Sequence, residues 1–205
     1  MIDILEHINA VQREVSRTGE TVTVLMRRSY QAEPAEVWDA LTDPERMRRW
    51  FMPVSGDLKV GGSFQLEGNA GGDILECDPP KTFKVTFGGP NSLLEVRLLP
   101  GAGSSTELEL EHSMSEAPAP GGSGALWVGP GWDGALLGLA LYVTGQLPAD
   151  TDPVQMADSP EVIDYNEQSV RSWIEAIRSS GGTTEEDLLS AAKISLSQYA
   201  PDAEL

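Results

Sequence analysis

Hydrophobic and polar residues alternate through the middle of the chain. In TELELEH (residues 106–112) the residues Thr106, Leu108, Leu110 and His112 share one face of a strand, and three glutamates share the other. Similar short runs, separated by turns rich in glycine and proline, predict strands near 54–59, 62–68, 72–77, 82–88, 92–99 and 105–113. TVTVLMRRSY (21–30) predicts an earlier first strand. The short connections favour an antiparallel sheet with one covered face.

Segments whose apolar residues have helical spacing lie next to these strands in the sequence. Near the start, the spacing of Ile4, Leu5, Ile8, Val11 and Val15 predicts an amphipathic helix over 2–17, within a separate segment 1–20. Two short helices follow the first strand. Each begins with a proline, at Pro34 and Pro44, and Asp43 is in position to cap the second.

A second helical region lies after the strands. GWDGALLGLALYVTG (131–145) is apolar on nearly every side, which predicts a buried helix. Gly134 and Gly138 each cost such a helix about 1 kcal/mol relative to alanine. We therefore expect either close backbone packing or space kept for a ligand at these glycines. Amphipathic helices follow over 159–180 and 183–199, so the chain divides into a domain 21–180 and an acidic helical extension 181–205.

Composition narrows the classes of partner. The net charge of −18 repels phosphate backbones and anionic lipid, so neither nucleic acid nor membrane is an expected partner. Residues 147–205 hold twelve acids against three bases, which is typical of solvated helix faces and leaves a basic protein partner or a homodimer as alternatives. The single Cys77 and the absence of a secretory signal pattern predict a cytoplasmic location.

Few residues are suited to catalysis or metal binding. His7, His112 and Cys77 stand alone in the sequence, so no metal is expected. The run G-P-G-W-D-G (129–134) fits a dinucleotide fingerprint, but a loop stands where the second strand should follow. We interpret it as the turn that starts the helix, and expect no cofactor. His112 has two interpretations, a core histidine satisfied by a hydrogen bond or a polar anchor or general base inside a cavity.

Several motifs resemble a known family. QAEPAEVWDALTDPERMRRWF (31–51), followed by GGSF (61–64) and LECDPP (75–80), is similar to the SRPBCC superfamily of START-like domains. The branch it resembles is named after the activator of the heat-shock chaperone ATPase, although Cys77 replaces an expected aliphatic residue. The resemblance spans about residues 21–145. It implies an α+β helix-grip fold, in which a curved antiparallel sheet wraps a long helix and two short helices close one end.

The resemblance also implies a cavity between sheet and helix, which predicts that the protein binds an apolar or amphipathic small molecule. Strand phase and helix spacing assign its wall. The predicted ligand-binding residues are Trp50, Phe64, Leu66, Leu75, Val85, Phe87, Leu108, Leu110, His112, Trp132, Leu136 and Ala140. An enzyme of the cyclase or aromatase type is an alternative, and a protein-interaction or chaperone-cofactor module is a second one.

Overall fold

The computed structural model describes residues 2–115, 122–148, 151–203 and 205. Its strands are β1 Val11–Thr18, β2 Thr21–Tyr30, β3 Val54–Gly56, β4 Ser63–Leu66, β5 Gly71–Asp78, β6 Thr82–Thr86, β7 Leu93–Pro100 and β8 Thr106–Ser115. Its helices are α1 Ile4–Asn9, α2 Pro34–Thr42, α3 Pro44–Met47, α4 Ala125–Val143, α5 Pro153–Ala157, α6 Pro160–Ser180 and α7 Glu185–Tyr199. None of the helices in these ranges combines the length and apolar character needed to cross a membrane.

The eight strands form one antiparallel sheet in the order β1-β2-β8-β7-β6-β5-β4-β3. The sheet is curved and unclosed, and α4 packs against its inner face, so the predicted α+β helix-grip fold is confirmed. The phase predicted for β8 is also correct, because Leu108, Leu110 and His112 are buried. On the outer face Glu109 and Glu111 contact arginines of neighbouring strands, at Arg27 and Arg97.

The predicted N-terminal helix is wrong beyond residue 10. The helix α1 ends at Asn9, and Val11–Thr18 forms an edge strand paired along its whole length with β2. Val11 and Val15 are four residues apart, a spacing that puts both on one side of a helix but also on one side of a strand. Because pairing with β2 satisfies the backbone, the strand prevails, and residues 11–18 belong to the sheet rather than to a separate segment.

The helix α4 is held in place by a buried carboxylate. Asp133 has no exposed surface and accepts two hydrogen bonds from the Arg13 guanidinium of β1, both at 2.9 Å. Two groups of α6 also donate to Asp133 Oδ2, the Ser169 hydroxyl at 2.5 Å and the Trp173 indole N–H at 2.9 Å. A single side chain therefore ties the edge strand, the inner helix and the outer helix together.

Pro130 leaves a carbonyl group of α4 free to accept a hydrogen bond from α7. The helix α4 starts at Ala125 and continues through G-P-G-W-D-G, so the interpretation of that run as a helix-start turn is wrong. Because Pro130 has no N–H, the Leu126 carbonyl loses its usual donor four residues ahead. The buried Ser195 hydroxyl of α7 donates to it at 2.8 Å, and Tyr199 of α7 donates to the next carbonyl, that of Trp127, at 2.9 Å.

The C-terminal helices complete the core rather than extend from it. Ser159 and Thr184 cap α6 and α7, because their side chains accept hydrogen bonds from the N–H groups of Val162 and Asp187. The helix α7 adds Leu188, Ala192 and Leu196 to the main hydrophobic cluster, which also contains residues of the sheet. Residues 185–199 are thus packed into the domain that the sequence analysis ended at 180.

Replacing Asp133 by asparagine should leave Arg13 buried without a charge partner. We expect the Asp133→Asn change to lower the free energy of unfolding by about 3–5 kcal/mol in urea titrations. Glu14→Gln is the control, because it removes a partner of Arg27 at the solvent-exposed surface and should cost about 1 kcal/mol or less. Equal losses for the two variants would contradict the role given to Asp133.

The Ser195 hydroxyl should matter only while residue 130 is proline. Ser195→Ala strips the Leu126 carbonyl of its donor and should cost about 1–3 kcal/mol in the free energy of unfolding. In a Pro130→Ala background the new N–H at residue 130 can reach that carbonyl, so the same change should cost less. A double-mutant cycle by urea unfolding measures the difference, and additive effects would rule this explanation out.

Candidate functional site

A cavity of about 200 Å³ lies between the inner face of the sheet and α4. Strands β3 to β8 provide one wall, α4 the opposite wall, and the end of α2 with the segment 47–51 closes the space. The lining residues are Leu41, Thr42, Met47, Trp50, Phe51, Val54, Leu58, Lys59, Phe64, Leu66, Ile74, Cys77, Phe83, Val85, Phe87, Leu94, Val96, Leu108, Leu110, Trp132, Ala135, Leu136 and Leu139. Leu58, Lys59 and Cys77 are exposed, which puts the mouth beside the β3–β4 loop and β5.

The structure brings together nine of the twelve residues that the sequence predicted for this wall. These are Trp50, Phe64, Leu66, Val85, Phe87, Leu108, Leu110, Trp132 and Leu136. Ala140 is buried in α4 without bordering the cavity, and His112 lies behind the wall. Ligand binding by these residues stays a prediction.

Leu75 was assigned to the wrong face. Its side chain is 42% exposed on the outer side of β5, while Ile74 lines the cavity. The pairing of β5 with β6 slips between Ile74 and Glu76, so residue 75 is an extra, unpaired residue. The extra residue shifts the alternation of inward and outward side chains by one position. Ile74 and Cys77 therefore both face inward, although residues three positions apart in a regular strand face opposite sides. An alternating pattern in the sequence carries no sign of such an insertion.

Other lining residues could have been found from the pattern. Phe83 has the same strand phase as Val85 and Phe87. Leu94 and Val96 alternate along β7 opposite the inner face of β8. In contrast, Leu58 and Lys59 lie in a connecting loop, and only the folded chain brings that loop to the mouth.

Trp50 closes one end of the cavity with its indole held in a fixed orientation. Its N–H donates to the Ala40 carbonyl at 3.0 Å, and its ring stacks on Phe51 with centroids 5.3 Å apart. A Cβ atom at Gly138 would lie 3.0 Å from the Trp50 carbonyl oxygen. Gly138 therefore serves close packing between α4 and the closing segment, which is one of the two uses expected for the helix glycines.

His112 is a core histidine whose two ring nitrogens are both engaged. Nδ1 accepts a hydrogen bond from the Trp132 indole N–H at 3.0 Å, so the proton of the neutral ring is on Nε2. Nε2 then donates to the Ser92 hydroxyl at 2.7 Å. In this tautomer His112 cannot take a proton from Ser92. The histidine instead orients Trp132, whose ring lines the cavity.

Burial lowers the pKa of His112 to about 4. The neutral ring agrees with the indole donor at Nδ1, because an imidazolium would have two N–H groups directed at each other. His7 is similar, since burial and then the Arg28 guanidinium lower its pKa, and its Nδ1 lies 2.6 Å from Arg28 Nη2. Both histidines of the chain are thus neutral hydrogen-bond acceptors in the fold.

The hydroxyl, indole and ammonium groups of the cavity wall already have partners within the protein. The Thr42 hydroxyl donates to the Trp38 carbonyl at 2.8 Å, and the indole N–H groups of Trp50 and Trp132 are used as described above. Lys59 Nζ lies 3.1 Å from a carboxylate oxygen of Asp57. Among the described residues, no group of three or more His, Cys, Asp or Glu side chains could hold a metal ion. The wall is formed mainly by aliphatic and aromatic side chains.

Comparisons with known proteins agree with this architecture. The family model of the Activator of Hsp90 ATPase homolog 1-like protein matches residues 31–144. The solution structure of CalU16 from Micromonospora echinospora is 37% identical, covers 84% of this chain and 97% of its own, and has a TM-score of 0.70. The crystal structure of CalU16 is 34% identical to this chain. It covers 82% of this chain and 99% of its own, with a TM-score of 0.67.

More distant structures share the fold. DynU16, a protein in the dynemicin biosynthetic locus, is 26% identical over 66% of this chain and 51% of its own, with a TM-score of 0.54. The Aha1 dimer from Colwellia psychrerythraea is 19% identical over 58% of this chain and 93% of its own, with a TM-score of 0.50, and shows likeness of fold alone. A comparison with curated proteins finds no match.

The low pKa of His112 makes the stability of the fold depend on pH. In the unfolded chain the histidine has a pKa of about 6.5 and binds a proton below that pH. In the folded chain His112 binds a proton only near pH 4. Stability contributed by the neutral ring is therefore present above pH 6.5 and falls, by up to about 3 kcal/mol, as the pH drops to 4. Urea unfolding across this range should show the loss in the wild type relative to His112→Gln. A His112 NMR titration midpoint near 6.5 would contradict it.

Proposed function

The chain belongs to the family of Activator of Hsp90 ATPase homolog 1-like proteins, and on that premise we propose that it binds a hydrophobic or amphipathic small molecule in the cavity between the sheet and α4. The observation that carries this proposal is the wall itself. Nearly all of its side chains are aliphatic or aromatic, and they surround space that no side chain fills. Moving apolar ligand surface from water into such a space contributes about 25 cal/mol per Å².

The volume sets a size for the enclosed part of the ligand. A dry apolar cavity of about 150 Å³ accommodates benzene. About 200 Å³ therefore suits one or two fused rings, or a short branched chain. A larger molecule would extend through the mouth beside Leu58 and Lys59.

The aromatic content of the wall supports a ligand with rings. Phe87 lies between Phe64 and Trp132, with ring centroids 6.3 and 5.0 Å away. Offset and edge-on ring contacts add about 0.5–1.5 kcal/mol each beyond the burial of area. Because His112 fixes the Trp132 indole, this surface is rigid before any ligand arrives, and less ordering entropy is lost on binding.

Binding is favoured over cyclase or aromatase chemistry. Such an enzyme needs an acid or base that touches the ligand. His112 has both ring nitrogens engaged outside the wall, and Asp133 is neutralised by Arg13 on another side of α4. DynU16 comes from a biosynthetic locus, a setting that agrees with a small-molecule ligand. A chaperone-cofactor role, a homodimer and a cytoplasmic location stay predictions on which the cavity has no bearing.

A fluorescent apolar probe tests the proposal. N-phenylnaphthylamine should bind at one site with an enhanced signal, and Ala135→Phe, which fills the cavity, should weaken binding by about 10-fold or more. Leu75→Phe is the matched control on the outer face of the sheet and should leave binding unchanged. Thermal unfolding of each variant checks that the fold is retained. Equal affinity of wild type and Ala135→Phe would refute binding in this cavity.

The single cysteine gives an independent measure of the same event. Cys77 lines the cavity at its mouth, so a bound probe should slow alkylation of its thiol by iodoacetamide. The rate should return to that of the free protein in Ala135→Phe with the same probe concentration. Alkylation that is insensitive to a saturating probe would show that the probe binds elsewhere.

A further inference from the structure

The mouth of the cavity has one charged lining residue, and its charge is balanced. Lys59 lies in the loop between β3 and β4, and it is the charged residue among the described lining residues. Its Nζ atom is 3.1 Å from Oδ2 of Asp57, two residues earlier. Both side chains are largely exposed, at 72% and 61%. A ligand approaching the mouth therefore meets an ion pair rather than a free cation.

The segment 54–86, which includes the mouth residues Leu58, Lys59 and Cys77, is net negative. Between residues 54 and 86 there are five acidic residues and three lysines. Two of the acids, Glu76 and Asp78, flank Cys77 on β5, and Asp78 lies 3.6 Å from Lys81. The whole chain carries −18, which lowers the local concentration of anions and raises that of cations at low ionic strength.

The interior cannot compensate an anion. Both lining indoles donate their N–H groups to protein acceptors, Trp50 to the Ala40 carbonyl and Trp132 to His112. The Thr42 hydroxyl is likewise used within α2. A carboxylate drawn into the cavity would lose its water without gaining a donor, which is costly.

From these three observations we propose that the cavity selects its ligand by charge. It takes neutral and cationic amphiphiles, with the apolar body between the sheet and α4 and an amine, where the ligand has one, at the mouth beside Asp57. It disfavours carboxylates and other anions. This inference rests on the proposed binding function and narrows the class of ligand.

Three matched ligands test the selection. Methylnaphthalene is neutral, naphthylmethylammonium is cationic and naphthalenecarboxylate is anionic, and all three have a bicyclic body of the size that suits the cavity. Each competes with N-phenylnaphthylamine for the 205-residue chain at pH 7. At about 20 mM salt we expect the anion to bind about 10-fold more weakly than the other two, and at about 500 mM salt this difference should shrink.

Substitutions at the ion pair separate the local effect from the total charge. Asp57→Asn frees Lys59 and should strengthen binding of the anion by about 3-fold. Glu186→Gln changes the net charge by the same amount on the exposed first turn of α7, and should leave that affinity nearly unchanged. Lys59→Gln leaves Asp57 unpaired and should favour the cation further.

The outcomes distinguish the two proposals. If the neutral ligand displaces the probe and the carboxylate does so equally well, selection by charge is wrong while binding in the cavity stands. Equal effects of Asp57→Asn and Glu186→Gln would mean that the ion pair at the mouth plays no part. If none of the three ligands displaces the probe and Ala135→Phe does not weaken it, both proposals fail.

Discussion

The position of α4 depends on the buried carboxylate of Asp133. An ionised group without exposed surface is tolerable only with a charge partner and hydrogen bonds, and Arg13, Ser169 and Trp173 supply them. These partners come from the edge strand β1 and from α6, so they fix α4 against one side of the sheet. Residues of the far strands, β3 to β6, line the cavity together with residues of α4. The cavity lies where the sheet and the fixed helix diverge.

Two consecutive residues of α4 connect this constraint to the site. Asp133 is directed toward β1 and α6, whereas Trp132 faces the cavity and donates to His112 of β8. The orientation of one therefore restricts the other, because adjacent residues of a helix are separated by about 100° around its axis. His112 was open to a structural and to a functional interpretation. The structure favours the first, with one consequence for function, since the histidine holds an aromatic part of the wall in place.

The cavity wall is mainly apolar, and this composition supports the binding function that we propose. Its hydroxyl and indole groups are paired with the protein, and its charged residue at the mouth is paired with a neighbouring carboxylate. Rigid aromatic walls and satisfied polar groups favour recognition by shape and apolar area. CalU16 and DynU16 share the fold of this chain. In the selection by charge that we propose, the few exposed side chains at the mouth set the selectivity.

Much of this protein follows from the sequence alone. Alternating residues such as those of TELELEH predicted the sheet. Proline and aspartate at helix starts predicted the two short helices, and the nearly uninterrupted apolar character after Gly131 predicted the buried helix. These signals are local, because each reflects the period of one element or the chemistry of one turn. The same periods assigned nine of the residues that line the cavity.

Only the tertiary structure decided the rest. Val11 and Val15 fit a helix and a strand equally well, and pairing with β2 made the choice. A bulge at Leu75 inverted the face of the residues that follow, which no periodicity reveals. Pro130 lies inside α4 and leaves the Leu126 carbonyl without its usual donor. Hydroxyl groups of α7, some 65 residues later in the chain, donate to this carbonyl and to the next one. In each case the deciding partner is another segment, the next strand for β1 and β5 and a distant helix for Pro130, and its contribution exists only once the two segments meet.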